Sequence, residues 1–406
     1  MSAVLAAARP NEEAPADEAA LVALIAETAE PLMIVGNNTK ALLLRPAEAS
    51  RRVSTRALDG ITLYAPKELI LSARAGTPLA AVEAAVAQQG QHLIAEPPDL
   101  GALLGTEGPQ TLGGVVAANQ SGPRRVAWGA MRDHVMGVRA VNGRGEVIRS
   151  GGRVLKNVTG LDLCKLLTGS YGTLAVMTEI TLKTLPAPER RATVAVGGLD
   201  PAAAVRALAA ALGSPYGVSA AAYLPLAASA KVPALAWLGK AVAVARIEDF
   251  ATSTSYRAGR LREELRAFGA AEILDDEASR AVWPAIRDAR PLVGAGAAVW
   301  RVSVRPSAGP AVVAALGDTG AAWFLDWGGG LVWIAGPADA SLHDRIAASA
   351  RAAGGTWTLM RAPDPLRRAV DVVPPEPAPL ARITREVKAA FDPRGVLNPG
   401  RMFASL

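Results

Sequence analysis

The sequence TLGGVVAANQSGPRR, residues 111–125, lies in a segment rich in glycine and proline that shows little helical or strand periodicity. In a compact domain such a long irregular segment is usually functional. Gly113 and Gly114 precede small residues, so the backbone can approach a ligand closely with N–H groups free to point at it. Polar and charged side chains follow at Asn119, Ser121, Arg124 and Arg125. The alternative is a glycine-rich turn before a tightly packed helix, and the stretch alone leaves both readings open.

A second candidate loop is MIVGNNTK, residues 33–40, where a hydrophobic run ends at a single glycine. Two asparagines, a threonine and a lysine complete the turn. The pattern is typical of a phosphate-binding loop with most of its glycines replaced, although an ordinary strand-to-helix turn has the same composition. Asparagine tolerates left-handed backbone conformations better than most residues, so an anion cradle remains possible here.

A third segment is GSYGTLAVMTEITLK, residues 169–183, in which Gly172 and Thr173 turn the chain into a predicted strand. Backbone groups of residues 176–180 could then contact the edge of an aromatic heterocycle, although a plain turn and strand is the alternative. Together the three segments suggest one anionic, ring-bearing ligand. No GxGxxG follows a strand and no GxxxxGK[ST] is present, which disfavours a Rossmann dinucleotide site and a P-loop NTPase.

Composition and charge restrict the function further. The chain has 406 residues, a net charge of +6, one cysteine and three histidines. The basic residues are scattered and not interleaved with aromatics, so we expect an anionic cofactor or acidic partner rather than nucleic acid. The separated histidines (His92, His134 and His343) predict no histidine-based metal site. The single Cys164 indicates a reducing, cytoplasmic location, and no apolar run approaches the ~18 residues of a membrane span.

The pattern of apolar residues predicts an α+β protein with several parts. Residues 1–20 resemble a flexible leader, and predicted strands and helices then follow as far as a proline-rich break at residues 185–189. Beyond it, β-like runs alternate with alanine-rich helices, which suggests a separate α+β layer. The predicted domains are residues 21–188, residues 189–372 and a C-terminal segment, residues 373–406.

The order of motifs resembles a known family. EPPD (residues 96–99), TLGGVVAANQSGPRR, GAMRDHVMGV (129–138), NGRGE (142–146), LKNVTGLDL (155–163), GSYGTLAVMTEITLK and DPRGVLNPGRM (392–402) occur in the order typical of vanillyl-alcohol-oxidase or PCMH-type FAD-binding flavoproteins. The wording of SGPRR and GAMRDHVMGV is most similar to the FAD-binding subunits of bacterial glycolate oxidases. The resemblance implies a PCMH-type FAD-binding domain of two α+β subdomains, an α+β cap domain, and a C-terminal tail that returns to the FAD domain.

The resemblance also implies cofactor-binding residues. The first loop would wrap the FAD pyrophosphate, the EPPD and TLGG segments would line the pyrophosphate and flavin, residues 172–180 would lie near the adenosine, and the tail would approach the flavin ring. The implied residues are Gly36, Asn37, Asn38, Thr39, Lys40, Pro97, Pro98, Asp99, Thr111, Gly113, Gly114, Asn119, Ser121, Gly122, Arg132, Gly172, Glu179, Ile180 and Asn398. Arg124, Arg125 and Arg132 could stabilise an anionic flavin or a substrate carboxylate, or instead form surface salt bridges or contact a partner.

The resemblance implies noncovalent FAD and a role in oxidising glycolate within a complex that includes a second flavoprotein subunit and an iron–sulfur subunit. Related 2-hydroxy-acid dehydrogenases place paired histidines on a metal beside the flavin, and this chain lacks such a pair, so no catalytic residue is assigned. The favoured function is an electron-relaying FAD subunit, cytoplasmic or peripheral to the inner membrane through its partners. The alternatives are a self-sufficient FAD-dependent 2-hydroxy-acid dehydrogenase and a flavin-free structural subunit.

Overall fold

The computed structural model describes residues 12–152 and 161–406, and in these ranges the chain forms three β-sheets with helices packed against them. Most of the LKNVTGLDL motif therefore lies outside the described residues. The first sheet has three parallel strands in the order β1-β3-β2: β1 (Glu12–Glu13), β2 (Leu32–Val35) and β3 (Arg51–Ser54). The sequence predicted a flexible leader up to residue 20. That prediction is wrong for residues 12–20, because Glu12 and Glu13 pair with Arg52 and Val53.

The second sheet is antiparallel and has the order β4-β5-β9-β7-β8, with β6 pairing with the end of β9. Its strands are β4 (Ile61–Ala65), β5 (Ile70–Arg74), β6 (Gln91–Leu93), β7 (Val135–Asn142), β8 (Val147–Gly151) and β9 (Ala175–Pro186). Strand β9 lies in the middle, and its apolar side chains are almost all buried. The buried Leu71, Val115 and Ile180 belong to one core beneath this sheet.

The third sheet is antiparallel and has the order β13-β10-β12-β11-β15-β16-β14-β17. Its strands are β10 (Arg190–Gly197), β11 (Val218–Leu224), β12 (Val242–Asp249), β13 (Ala271–Leu274), β14 (Ala298–Ser303), β15 (Ala322–Asp326), β16 (Leu331–Gly336) and β17 (Thr356–Arg361). Trp283, Trp300 and Phe324 are fully buried in its core. Helices cover this sheet, as is expected of an α+β layer. The domain boundaries placed at residues 188 and 372 remain a prediction.

Helices connect the strands. In chain order they are α1 (Glu18–Glu27), α2 (Leu79–Ala87), α3 (Gly101–Leu104), α4 (Leu112–Ala117), α5 (Arg125–Trp128), α6 (Met131–His134), α7 (Leu163–Leu167), α8 (Pro201–Gly213), α9 (Leu226–Ser229), α10 (Pro233–Ala236), α11 (Ala251–Leu265), α12 (Asp276–Arg287), α13 (Gly309–Ala314), α14 (Ala340–Ala352), α15 (Asp364–Ala369) and α16 (Ala378–Phe391). Side-chain caps begin several of them: Asp17 accepts from Ala20 N, and Asp200 accepts from Ala203 N before Pro201.

The C-terminal tail returns to the first sheet. Leu397 forms a parallel bridge with Leu32 of β2, and Asn398 N donates to the carbonyl oxygen of Leu32 over 3.0 Å. Val387 and Phe391 of α16 pack against the core of the second sheet. The predicted return of the tail is therefore confirmed. Within residues 12–152 and 161–406, no helix combines the length and apolar character needed to cross a bilayer.

Candidate functional site

The loop of residues 36–40 follows β2 and has its backbone oriented by residues from three other parts of the chain. Thr106 Oγ1 donates to the Thr39 carbonyl over 3.0 Å, and Arg401 Nη2 donates to the Lys40 carbonyl over 2.7 Å. Arg367 of α15 donates to the Ala41 carbonyl over 2.9 Å. These contacts hold the backbone of the loop from outside it.

Several polar groups of the loop, chiefly its backbone N–H groups, have no hydrogen-bond partner within the described part of the chain. The backbone N–H groups of residues 37–40 donate to no atom there. The side-chain oxygen of Asn38 is buried without a hydrogen-bond partner. Asn38 also has a φ of +60°, a left-handed conformation that asparagine adopts more readily than most residues. Successive N–H groups around a left-handed residue form an anion-binding concavity.

Lys40 adds a positive charge to this loop. Its Nζ donates to Oε1 of Gln110 over 3.0 Å, and Gln110 Nε2 in turn donates to the Pro98 carbonyl over 3.1 Å. Burial lowers the pKa of Lys40 to about 8, and the nearby Asp99 opposes that shift. Its ammonium group has no carboxylate oxygen within 4.0 Å in the described ranges. A desolvated cation without a counter-ion is favourable only where an anionic ligand supplies one.

The glycines form the opposite wall, although not in the way the sequence suggested. A Cβ on Gly36 would lie 2.1 Å from Thr111 Oγ1, so Gly36 is required for close packing of the loop on α4. The N–H groups of Gly113 and Gly114 are not free. Gly113 N donates to the Ala75 carbonyl over 2.7 Å, and Gly114 N donates to the Thr111 hydroxyl that caps α4 over 3.2 Å. The free N–H groups belong instead to the loop after β2.

These elements enclose a narrow cleft. It consists of two adjoining cavities of about 70 and 60 Å³ that share residues of β2, α4 and the turn before β9. The shared lining residues are Ile34, Val35, Gly36, Gly114, Ala117 and Tyr171. A separate cavity of about 580 Å³ lies farther along β9 and shares no lining residue with the cleft; Arg74, Arg139 and Glu179 line it.

The side chain of Asn398 links two elements that line the cleft. Its Oδ1 accepts from Ile34 N and its Nδ2 donates to the Tyr171 carbonyl, each over 2.8 Å. A Cβ on Gly172 would lie 2.9 Å from this Nδ2, and Gly172 has a φ of +70°, which explains the glycine. The side chain of Asn398 therefore joins β2 to the turn before β9 rather than presenting both polar ends to a ligand.

The structure brings together only part of the predicted set. Lining the two cavities are Gly36, Asn37, Asn38, Thr39, Lys40, Thr111, Gly113, Gly114, Gly172 and Asn398. Outside them lie Pro97, Pro98, Asp99, Asn119, Ser121, Gly122, Arg132, Glu179 and Ile180. Whether either group contacts a cofactor stays a prediction.

The residues outside the cleft have other contacts. Asn119 Oδ1 accepts from Arg132 N, and Ser121 Oγ accepts from Met131 N, so both side chains hold the start of α6. The side chain of Arg132 is 55% exposed and lies 3.9 Å from Asp133. Gly122 packs where a Cβ would lie 2.1 Å from the Glu96 carbonyl. These residues support the loops around the cleft instead of lining it.

Sequence reasoning missed several residues at this site. Gln110 positions Lys40, and Arg367 and Arg401 orient the loop, yet all three act across large sequence separations. Tyr171 lines both cavities with a φ of +53°. Tyr171 lies within GSYGTLAVMTEITLK and Arg401 within DPRGVLNPGRM, so two of these four residues belong to motifs of the sequence, although neither was assigned to the site.

Arg124, whose role the sequence left open, forms an internal ion pair. Its Nη2 lies 2.7 Å from Glu248 Oε1 on β12. Glu248 also pairs with Arg191 over 3.1 Å, while Arg246 forms two 2.8 Å hydrogen bonds to Glu96. These guanidinium groups hold the pKa values of Glu96 and Glu248 below their usual range despite burial. Arg124 therefore joins the third sheet to the glycine-rich segment and is not available to a ligand.

Arg125 and Arg301 have a different environment. The guanidinium carbon of Arg125 lies 4.5 Å from the centroid of the Trp327 ring, and that of Arg301 lies 4.9 Å from it. Burial lowers the pKa of Arg301 to about 10 and also raises the pKa of Tyr171, whose phenol is close enough to be affected by Arg301. Arg301 belongs to β14 of the third sheet and lies near Tyr171, which lines both cavities.

The histidines do not cluster with these groups. His343 accepts from Trp300 Nε1 over 3.2 Å within the third-sheet layer, and burial lowers the pKa values of His92 and His134. Among the residues that the structure describes, no group of three or more His, Cys, Asp or Glu side chains is placed to hold a metal ion.

Comparisons with known proteins agree with this geometry. A family described as an FAD binding domain matches residues 6–151. Glycolate oxidase subunit GlcE of Escherichia coli (strain K12) is 36% identical over 379 residues, which cover 93% of this chain and 93% of that protein. Glycolate oxidase subunit GlcD of Bacillus subtilis (strain 168) is 42% identical over 84 residues, 21% of this chain and 18% of that protein.

The fold is also similar to that of a solved structure. p-Cresol methylhydroxylase with bound substrate aligns with a TM-score of 0.72 over 97% of this chain and 88% of its own, at 13% identity. That likeness concerns the fold alone. The predicted α+β, PCMH-type fold is confirmed.

Proposed function

Because the chain belongs to the family of glycolate oxidase subunit GlcE, we propose that it is the FAD-binding subunit of a glycolate oxidase complex. In this role it takes part in the oxidation of glycolate to glyoxylate. The chain is an FAD-linked oxidoreductase of the class that acts on CH–OH groups. The FAD-binding domain argues against the flavin-free structural subunit that the sequence left open.

The observation that carries this proposal is the donor set of the loop after β2. Four consecutive backbone N–H groups without a partner in the described residues and the ammonium of Lys40 fit the charge and hydrogen-bonding needs of a diphosphate. FAD, bound noncovalently, supplies the two-electron acceptor for oxidation of the substrate. Residues 37–40 would hold its diphosphate, and Gly114 would allow close approach from α4.

The remaining parts of the cofactor are assigned by the course of the cleft. The turn before β9, with Gly172, and the larger cavity beside Glu179 would take the adenosine end. Tyr171 and Arg401 would flank the flavin end. Ligand pockets typically measure about 300–1,000 Å³, so cavities of 70 and 60 Å³ must widen on binding. Tyr171 lines both cavities and Lys40 lines the first, and these are the side chains we expect to move.

The partners are a second flavoprotein subunit and an iron–sulfur subunit. The relatives named GlcE and GlcD are both subunits of a glycolate oxidase, which supports a complex. An iron–sulfur cluster needs about four cysteine ligands, and this chain has one cysteine, so a cluster must belong to another subunit. We place the chain in the cytoplasm, peripheral to the inner membrane through these partners.

A second candidate is a self-sufficient FAD-dependent 2-hydroxy-acid dehydrogenase, and the arginine pair at Trp327 favours it. The two are distinguished by adding glycolate anaerobically to the FAD-loaded chain and following its visible absorbance. Loss of the flavin bands in the chain alone supports the self-sufficient enzyme. Bands that persist until the second flavoprotein is added support the relay subunit. A chain that retains no FAD after incubation with it contradicts both.

A further inference from the structure

Trp327 is shared by two cations at the junction between the third sheet and the glycine-rich segment. Its Nε1 donates to the Gly122 carbonyl over 3.1 Å, which ties the indole to the glycine-rich segment, and its backbone N donates to Asp326 Oδ1 over 2.7 Å. The guanidinium groups of Arg125 and Arg301 lie 4.5 and 4.9 Å from the ring centroid. Each is attracted to the ring, but the two like charges repel each other.

No acidic side chain neutralises this pair. In the described ranges neither arginine has a carboxylate oxygen within 4.0 Å. Arg124, the neighbour of Arg125 in sequence, lies instead 2.7 Å from Glu248. Two acids act on the pair from beyond that distance: Asp133 opposes the lowering of the pKa of Arg125 by burial, and Asp326 does the same for Arg301. Asp326 is 2% exposed, and burial raises its pKa to about 7. A carboxyl group that is drawn towards its neutral form compensates little of the charge of two guanidiniums.

The chemistry of the pair indicates the ligand class. A guanidinium presents a planar fork of donors that matches a carboxylate, and two of them around one anion provide both charge and orientation. The pair is connected to the cleft through Tyr171, which lines both cavities and whose phenol lies within the field of Arg301. A small carboxylate held here would therefore lie at the end of the cleft facing the third sheet.

We propose that Arg125 and Arg301 bind the carboxylate of a small 2-hydroxy acid on the Trp327 platform. The inference rests on the proposed function in one respect, namely that FAD occupies the adjoining cleft. It goes beyond that function because it gives this subunit its own substrate-recognition site, whether or not the partner flavoprotein has another. The Gly122 carbonyl holds the indole, and both guanidinium groups lie within 5 Å of the centroid of that ring, at 4.5 and 4.9 Å.

The test is a binding measurement on the full-length chain without FAD, so that no turnover occurs. Glycolate is titrated by calorimetry into the wild type, Arg125→Gln and Arg301→Gln, and ethylene glycol, which has the same carbon skeleton without a carboxylate, is titrated in parallel. Arg351→Gln is the matched control, because Arg351 also stacks on a tryptophan, 5.3 Å from the Trp357 ring, away from the cleft. Arg125→Lys keeps the charge and removes the fork if a glutamine variant fails to fold.

We expect glycolate to bind the wild type and Arg351→Gln equally, and ethylene glycol to bind neither. Each glutamine variant should bind glycolate at least about tenfold more weakly, as the loss of a charge-assisted hydrogen bond implies, and Arg125→Lys should be intermediate. No glycolate binding to the wild type, or equal binding to Arg125→Gln and Arg301→Gln, would overturn the proposal. Titrating FAD into the same proteins separates this result from the proposed function, because FAD binding should survive in the glutamine variants.

Discussion

Glu96 and Arg246 form a bidentate ion pair, with both N···O distances 2.8 Å, that joins the glycine-rich segment to β12 of the third sheet. Arg246 is 1% exposed, and Glu96 holds its backbone at a φ of +48°, a conformation unusual for glutamate. The guanidinium also lies 4.8 Å from the Trp283 ring. The pair belongs to a buried network of charged side chains that joins the glycine-rich segment beside the cleft to the third sheet. The members of this network are Glu96, Arg124, Arg191, Arg246 and Glu248.

Replacing Arg246 by methionine should destabilise the chain strongly. The change leaves Glu96 and Glu248 buried with one guanidinium fewer, and removing one partner of a buried pair costs about 3–5 kcal/mol. The free energy of unfolding is measured by urea denaturation. Arg382→Met is the control, since Arg382 lies 3.7 Å from Glu386 with both side chains about 70% exposed, and such a pair contributes at most ~1 kcal/mol. Equal losses in the two variants would contradict the role given to the network.

Lys40→Met should have opposite effects on cofactor binding and on stability. The ammonium is desolvated and has no counter-ion in the described ranges, so its removal should not lower the free energy of unfolding of the FAD-free chain. The same change removes a charge-assisted contact to the diphosphate and should weaken FAD binding about 10–100-fold. Denaturation of Lys40→Met measures the change in the free energy of unfolding, and titration of the same variant with FAD measures the change in affinity. A large loss of stability with unchanged FAD affinity would show that Lys40 is structural.

The pKa of Lys40 predicts a pH dependence. Burial lowers this pKa to about 8, below the ordinary lysine value of about 10.4, so over this window the unfolded chain binds more protons than the folded one. The contribution of Lys40 to the free energy of unfolding therefore rises with pH between about 8 and 10.4. FAD affinity should instead fall as pH rises above 8, because the ammonium that attracts the diphosphate is lost. Lys40→Met should show neither trend; a wild-type affinity independent of pH from 7 to 10 would count against the contact.

Gly114→Val should remove FAD binding without unfolding the chain. A Cβ at Gly114 would lie 3.2 Å from Thr111 Oγ1 and 3.8 Å from Lys40 Nζ, so the added methyl groups would project into the cleft. The matched control is Gly259→Val, at a helical glycine of α11 where a Cβ meets nothing within 4 Å. Circular dichroism establishes that both variants fold, and FAD titration follows. Full FAD occupancy in Gly114→Val would place the cofactor elsewhere.

The sequence predicted those elements whose signals are local. The hydrophobic run that ends at Gly36 forms strand β2, and the chain at Gly172 and Thr173 turns into strand β9, as their sequences suggested. Strand β11 has no such local signal, because Ala220, Ala221 and Ala222 lack the branched side chains that mark a strand. These alanines form a strand because they are buried in the sheet, where β11 lies between β12 and β15.

The site was predictable where a motif determines the local backbone and not where distant residues meet. The loop of residues 36–40 and the wall at Gly114 belong to motifs that the resemblance covers. Arg367 and Arg401 reach the loop from more than 300 residues away along the chain. The pairing of Arg124 with Glu248, in contrast to the unneutralised Arg125, depends on which way adjacent side chains point at the junction. No sequence pattern distinguishes those two arginines.

The central claim is that this chain holds FAD in the cleft above the loop after β2, and an equilibrium titration of the purified full-length chain with FAD tests it most directly. Visible absorbance of the protein fraction gives the stoichiometry, and denaturation followed by filtration shows whether the flavin is released. We predict one FAD per chain, fully released on denaturation, with binding weakened in Lys40→Met and absent in Gly114→Val. No saturable binding to the wild type, or wild-type affinity in both variants, would contradict the account.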